Sequence, residues 1–316
     1  MIYRGRYAPS PTGPLHLGNA RTALLAWLDA RAHDGKLVMR VEDIDTPRVV
    51  KGAEEEQLSD LRWLGLDWDE GPDVGGPHGP YRQSNRYERY EAALSTLRGM
   101  GRLFPCVCSR KDLQRLASAP HVGEEGPAYP GTCRDRFSSD EEARAAAGRA
   151  PALRFRVTSG KASFDDRVLG SIAQDVERDV GDFVLRRADG LYAYQLAVVV
   201  DDGEMGITHV VRADDLATST PRQVMLLRTL GHAVPSYAHV PLLNGPDAAR
   251  LQKREPRHTL RGLRDAGIKP ESVVGWLAHS IGLVETTTPV RPSELVRDFR
   301  LGPLVSRPRW DLFPVT

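Results

Sequence analysis

A chain of 316 residues, 41% of them hydrophobic, can bury a full core and is longer than one average domain requires, so an enzyme of two or three lobes is expected. Its 43 basic and 42 acidic residues leave a net charge of +1, which excludes recognition of a polyanion by bulk charge and leaves that task to local basic patches. No stretch has the apolar length of a signal peptide or a membrane span, and the three cysteines fall within 106–133, so a cytoplasmic, metal-binding protein in reducing surroundings is expected rather than a disulfide scaffold.

Residues 2–8 read as a short strand, and the turn-rich 9–14 delivers the chain into a helical run over 18–32. A strand over 36–41 and a helix over 53–64 complete a β-α-β-α opening, the start of a parallel, doubly wound, Rossmann-like α/β sheet. The glycine- and proline-crowded 71–80 reads as a loop, helical periodicity resumes over 85–101, and an insertion begins near Phe104. Residues 154–157, 183–187 and 191–200 read as strands and 214–230 as a helix, so the sheet is expected to resume after the insertion. A strand-like run covers 239–243, and from Leu263 short amphipathic segments are broken by Pro270, Gly282 and Pro292. The expected organisation is a first half of the catalytic domain over 1–103, an insertion over 104–180, a second half over 181–245 and a small helical lobe over 246–316.

The first chemistry-bearing segment is Ala8-Pro9-Ser10-Pro11-Thr12-Gly13-Pro14-Leu15-His16-Leu17-Gly18-Asn19, where a strand turns into a helix and sets His16 beside the helix amino end. Phosphate is stabilised in such a place by backbone N–H groups and the helix dipole. Gly18 would let a ring or phosphate come close to the backbone, and His16 could donate to charge developing on an α-phosphate, a contact typically worth about 3 kcal/mol. Taken alone, His-x-Gly reads more simply as a helix-capping histidine.

The flanking sequence changes that balance. Arg6 to Asn19, Arg40-Val41-Glu42-Asp43-Ile44-Asp45, Trp63-Leu64-Gly65-Leu66-Asp67-Trp68-Asp69-Glu70-Gly71-Pro72, Gly79-Pro80-Tyr81-Arg82-Gln83-Ser84 and Val198-Val199-Val200-Asp201-Asp202 together resemble the glutamate-specific class I aminoacyl-tRNA synthetases, across most of residues 4–255. The run from His16 to Asn19 matches that class's His-Ile-Gly-His motif, with Asn19 in place of the second histidine, so an uncharged amide stands where a cation could form. The mobile Lys-Met-Ser-Lys-Ser loop is matched more weakly by Arg250-Leu251-Gln252-Lys253-Arg254. There the resemblance makes Lys253 the ATP-binding lysine and lets Arg250 stand in for the first one; a solvated basic loop is the plainer reading.

The same resemblance implies which residues bind substrate. His16, Gly18, Asn19, Arg250 and Lys253 would hold ATP, with Mg2+ accompanying it, and His16, Asn19 and Lys253 would act in catalysis. Arg6, Tyr7, Ala8, Pro9 and Ser10 would line a glutamate pocket, Glu42 would face the α-ammonium, and Tyr194 and Arg212 would complete the site, with Arg6 and Arg212 reading the side-chain carboxylate. Tyr192, two residues before Tyr194 on the expected strand, shares its face, so spacing does not choose between them. Ala213 stands where the family usually has glycine.

Cys106-Val107-Cys108, followed by Tyr129 and Cys133, offers three thiolates and a phenolate. Cys-x-Cys alone also fits ordinary cysteines. The set resembles a Cys, Cys, Tyr, Cys zinc site, and with all four positions filled by protein the zinc would be structural, one per chain. Residues 254–316 leave little room for an anticodon-gripping region, and with the tyrosine-containing zinc pattern this makes the chain similar to the truncated paralogues that glutamylate queuosine in tRNA(Asp). That resemblance implies ATP, L-glutamate and queuosine-containing tRNA(Asp) as partners, and a monomer is expected. The alternatives are a ligase acting on tRNA(Glu) and a non-catalytic tRNA-binding paralogue. Arg250, Lys253, Arg254, Arg257, Arg261 and Arg264 form the densest basic stretch, a candidate track for tRNA phosphates or a solvated helix face.

Overall fold

The computed structural model describes residues 2–109, 111–113, 128–158, 160–243, 258–302 and 304. Strand β1 (Arg4–Tyr7) leads through the proline-rich turn into α1 (Leu17–Ala32) and back into β2 (Lys36–Met39), which pairs in parallel with β1. Almost every side chain of α1 from Ala20 to Ala30 is buried, because the sheet covers one side of the helix and C-terminal helices the other. Next come α2 (Ala53–Trp63) and α3 (Tyr87–Gly99), each with a buried leucine stripe and a charged outer face.

Strand β3 (Leu103–Cys106), helix α4 (Asp140–Ala147) and strand β4 (Ala152–Phe155) follow, and then a hairpin of β5 (Lys161–Asp166) and β6 (Gly170–Asp175). The short α5 (Val176–Asp179) precedes β7 (Phe183–Arg186), after which come α6 (Tyr194–Glu204), β8 (His209–Ala213), α7 (Thr220–Thr229) and β9 (Ser236–Val240). Helices α8 (Leu260–Asp265), α9 (Pro270–Ser280) and α10 (Pro292–Leu295) close the described chain. No helix among the described residues is long and apolar enough to cross a membrane.

The larger sheet runs β2-β1-β8-β9-β5-β6, parallel from β2 to β5 and antiparallel at the outer hairpin; the smaller sheet is the antiparallel β3-β4-β7. The sheet memberships differ from the sequence reading in two respects. β5 and β6, within 104–180, join the larger sheet, while β7, within 181–245, belongs to the smaller one, so the division at 180 cuts across both sheets. Local pattern shows that a strand exists and leaves its partner to tertiary pairing.

A third difference concerns residues 191–200, read as a strand. From Tyr194 onward the chain is helical, in α6, and every residue from Leu196 to Asp202 is buried. A helix covered on all sides has no polar face, so its apolar run carries no 3.6-residue signature to set against its β-branched valines. The expected helix over 214–230 divides into a 3-10 turn (Asp214–Ser219) and α7. Helix α9 places Val273, Trp276 and Leu277 in the same apolar core as Leu24, Leu28 and Leu61.

Candidate active site

The carboxyl ends of β1 and β8 part company: β1 continues into α1 toward β2, and β8 lies on its other side. A crevice at such a divergence of an open α/β sheet is the usual ligand site. Here it is a cleft of about 710 Å³. Arg6, Tyr7, Ala8, Pro9, Ser10, His16, Gly18, Asn19, Glu42, Tyr194 and Arg212 all line it, so residues from four separate segments meet in one place. Tyr192 does not line it; its hydroxyl donates to Glu91 at 2.7 Å, and its ring packs against Tyr87 and Tyr90. Because Tyr194 opens a helix, two residues no longer imply one face.

Arg212 is buried at the cleft floor. Its Nε donates to His239 Nε2 at 3.0 Å, its Nη1 to the Tyr194 hydroxyl at 3.4 Å, and its Nη2 to Thr220 Oγ1 and Gln223 Oε1, both at 2.7 Å, and to the Leu216 carbonyl at 3.5 Å. Among the described residues every one of these acceptors is neutral. All its hydrogen bonds go to neutral groups, while Asp202, already bonded by Arg40, acts on it only through space, so the guanidinium is oriented and keeps charge for an anion in the cleft.

Beside it, Arg6 has its Nε 3.6 Å from Asp202 Oδ1 and without a hydrogen-bond partner among the described residues. Arg40, fully buried, donates to Asp202 at 2.7 Å and to Glu42 at 3.1 Å and lies 3.6 Å from Asp201. Burial pushes the Glu42 carboxyl up while Arg40 and Arg6 oppose it, and the net direction is upward. For Asp202, burial also acts upward, but Arg40 and Arg6 prevail and hold it below the usual carboxylate range. The cleft therefore has an arginine-rich wall and, at Glu42, a carboxylate suited to an ammonium.

His16 is the N-cap of α1, its Nδ1 accepting from the Asn19 backbone N–H at 3.3 Å. The residue thus caps the helix and also lines the cleft. A Cβ added to Gly18 would sit 3.0 Å from two atoms of that ring, so the glycine makes room for His16 itself. Tyr7 reaches across from β1 to donate to the Asn19 carbonyl at 3.1 Å.

Arg250 and Lys253 lie outside the described residues, as do Arg254 and Arg257. Leu243, the last described residue before them, lines the cleft, and Thr259, just after them, forms a bridge with His16. In the candidate basic track, Arg261 pairs with Glu56 at 3.2 Å and Arg264 with Asp60 at 3.0 Å, so both tie α8 to α2.

Cys106, Cys108 and Cys133 have their sulfurs within 4.8 Å of one another, and Tyr129 Oη is 3.5 Å from Cys106 Sγ and accepts from the Cys133 backbone N–H at 2.7 Å. Zinc–thiolate bonds of ~2.3 Å in a tetrahedron would set sulfurs about 3.8 Å apart, so the cluster fits a small tetrahedral cation. Burial, with neighbouring Cys106 next, pushes the Cys108 thiol upward, a repulsion that a divalent cation would relieve. The Arg154 guanidinium lies over the Tyr129 ring, 3.9 Å from its centroid.

Several residues in or behind the cleft lining carry no sequence signal of their own. Gln57 of α2 holds the turn by donating to the Ser10 and Gly13 carbonyls at 3.1 and 2.7 Å. A buried glutamine within a helix is the one local hint, and burial is not visible in the sequence. Thr220, Gln223 and His239 become relevant only once β8, β9 and α7 are assembled around Arg212.

This cleft, at the head of a doubly wound sheet and lined by both a buried arginine and a helix amino end, defines a nucleotide-using synthetase-type site. The family model for class I tRNA synthetases (E and Q), catalytic domain, matches residues 3–287, and the chain belongs to that family. It is 55% identical over 305 residues to the glutamyl-Q tRNA(Asp) synthetase of Symbiobacterium thermophilum, covering 96% of this chain and 94% of that one. A second relative, the glutamyl-Q tRNA(Asp) synthetase of Nitratidesulfovibrio vulgaris, is 48% identical over 307 residues, covering 97% and 95%. Among solved structures, the glutamate-tRNA synthetase from Elizabethkingia anophelis superposes with a TM-score of 0.81 at 29% identity, covering 97% of this chain and 67% of that one.

Proposed function

We propose that this protein uses ATP to activate L-glutamate as glutamyl-adenylate and passes the glutamyl group to queuosine in the anticodon of tRNA(Asp). The observation that carries the activation step is Arg212, a buried cation at the cleft floor held by neutral acceptors. It would bind the side-chain carboxylate together with Arg6, while Glu42 accepts the α-ammonium and Tyr7 to Ser10 shape the wall. The glutamate α-carboxylate would then attack the α-phosphorus of ATP as the bond to pyrophosphate breaks. His16 would donate to the developing phosphate charge, with Gly18 and Asn19 beside it at the helix amino end. Lys253 and Arg250 would hold the leaving pyrophosphate, and Mg2+ accompanies the nucleotide.

In the second step a hydroxyl of the queuosine cyclopentene diol attacks the mixed anhydride, forming an ester and releasing AMP. Such a diol imitates the vicinal hydroxyls of a terminal ribose, so an adenylate site can accept it. The acceptor rests on the relatives matched along nearly their whole length. Cys106, Cys108, Tyr129 and Cys133 would hold one structural zinc that fixes the loops around the smaller sheet. A tRNA substrate supports a cytoplasmic location, and a monomer is the expected form.

Transfer of labelled glutamate, with ATP, to queuosine-containing tRNA(Asp), the same tRNA lacking queuosine, and tRNA(Glu) tests this reading. Labelling of the first alone is expected. Labelling of tRNA(Glu) would make the protein an ordinary ligase, and no labelling with no glutamate-dependent ATP–pyrophosphate exchange would make it a binding module.

A further inference from the structure

Behind Arg212, away from the cleft, lies a polar chain that the activation chemistry does not itself use. His239 of β9 is fully buried. Its Nδ1 is 2.6 Å from Asp166 Oδ2, and Asp166 also accepts from the backbone N–H of His239 at 3.1 Å and from those of Val168 and Leu169 at 3.0 and 2.9 Å. Asp166 ends β5, the strand that brings the outer hairpin onto β9 through the Asp166–Tyr237 register.

The protons decide the arrangement. Asp166 accepts from three backbone N–H groups and is held below the usual carboxylate range, so it is an ionised acceptor and Nδ1 of His239 carries the hydrogen. Nε2 is then a lone pair, and Arg212 Nε donates to it at 3.0 Å, with Thr220 Oγ1 also 3.0 Å away. The opposite tautomer, or a protonated ring, would turn an N–H against the guanidinium. Burial lowers the His239 pKa, the bond to Asp166 opposes it and Arg212 lowers it further; the net direction is downward, in accord with a neutral ring. With Nε held from behind by His239 and Nη2 from the side by Thr220 and Gln223, the Arg212 fork has one orientation, and Nη1 is left against Tyr194 at the cleft.

We propose that His239 and Asp166 are positioning residues for side-chain carboxylate recognition: Asp166 selects the His239 tautomer, and His239 aims Arg212 into the cleft. The inference rests on the reading that this cleft binds glutamate. It makes the outer hairpin, 73 residues from His239 in sequence, part of amino-acid selection.

The test is steady-state ATP–pyrophosphate exchange with wild type, His239→Leu and His239→Gln. The glutamine amide oxygen can take the place of Nε2 and accept from Arg212, whereas leucine cannot. His239→Leu is expected to raise the glutamate KM by roughly 10- to 100-fold with the ATP KM within about twofold, and His239→Gln to stay within about threefold of wild type. Glutamine as defective as leucine, or an ATP KM rising in step with the glutamate KM, would overturn the proposal. Should His239→Leu not fold, Asp166→Asn carries the same test: a glutamate KM raised alone supports it, and an unchanged glutamate KM refutes it. Wild-type exchange that glutamate fails to stimulate would instead remove the glutamate reading, and this inference with it.

Discussion

The Arg40 guanidinium and the Glu42 carboxylate, two residues apart at the end of β2, lie 3.1 Å from each other with side-chain exposures of 0% and 8%. Arg40 serves three carboxylates, because Asp201 and Asp202 approach it from α6. Arg40→Met would leave those charges facing one another in the interior, with Arg6 and Arg86 as the nearest remaining cations. The expected loss is about 3–5 kcal/mol of folding stability, read by denaturant unfolding, and a loss under about 1 kcal/mol would show that the network is not a unit.

Gly18→Ala separates folding from chemistry. Alanine's helix propensity, worth up to about 1 kcal/mol in a helix interior, is set against a tight contact with the capping ring, so stability should change by less than about 1 kcal/mol. The added Cβ, 3.0 Å from the His16 ring, must displace it. Glutamate-dependent exchange should fall by roughly 10- to 100-fold in kcat, and wild-type kcat in this variant would remove His16 from the chemical step.

The two neighbouring tyrosines should behave differently. Tyr194→Phe deletes the hydroxyl that accepts from Arg212, and the glutamate KM should rise by about 3- to 10-fold. Tyr192→Phe deletes a half-exposed bond to Glu91, and the KM should stay put while stability drops by less than about 1 kcal/mol. Equal effects on KM would contradict the placement of the pocket.

Metal analysis of protein prepared without chelator should give one zinc per chain, and Cys133→Ser should lose it. Chelation should lower the thermal midpoint by several degrees, through the loops around β3, β4 and β7, as expected where metal binding is coupled to folding. Stoichiometric absence of metal, or a midpoint indifferent to chelator, would dismiss the four-residue site.

Burial pushes the Asp60 carboxyl up to about 6, against the opposing pull of Arg264. A folded pKa above the unfolded value of 3.8 means that the folded state binds the proton more tightly, so this group's contribution falls as pH rises through the window between those values. Asp60→Asn has no such term. Its stability relative to wild type should therefore increase by roughly 2 kcal/mol from pH 4 to pH 7, measured by denaturant unfolding at both. A difference independent of pH would show that Arg264 keeps Asp60 ionised throughout.

The opening β-α-β and the turn that sets His16 at a helix amino end were legible in the amino-acid order, and the grouping of three cysteines with Tyr129 and the cleft residues from Arg6 to Asn19 were legible through the family resemblance. Each depends on neighbours within a few residues or on a long motif. The tertiary structure alone decided the rest. The run 194–200 is helical, and from Leu196 on it is buried all round, so the sequence hides its period. The hairpin at 161–175 joined the larger sheet, and Asp166 reached His239, because edge pairing and a buried proton are settled between segments far apart in sequence. Arg261 and Arg264 pair with Glu56 and Asp60 of α2 for the same reason: a charge acts on whatever folding places within a few ångströms, and sequence order does not record that distance.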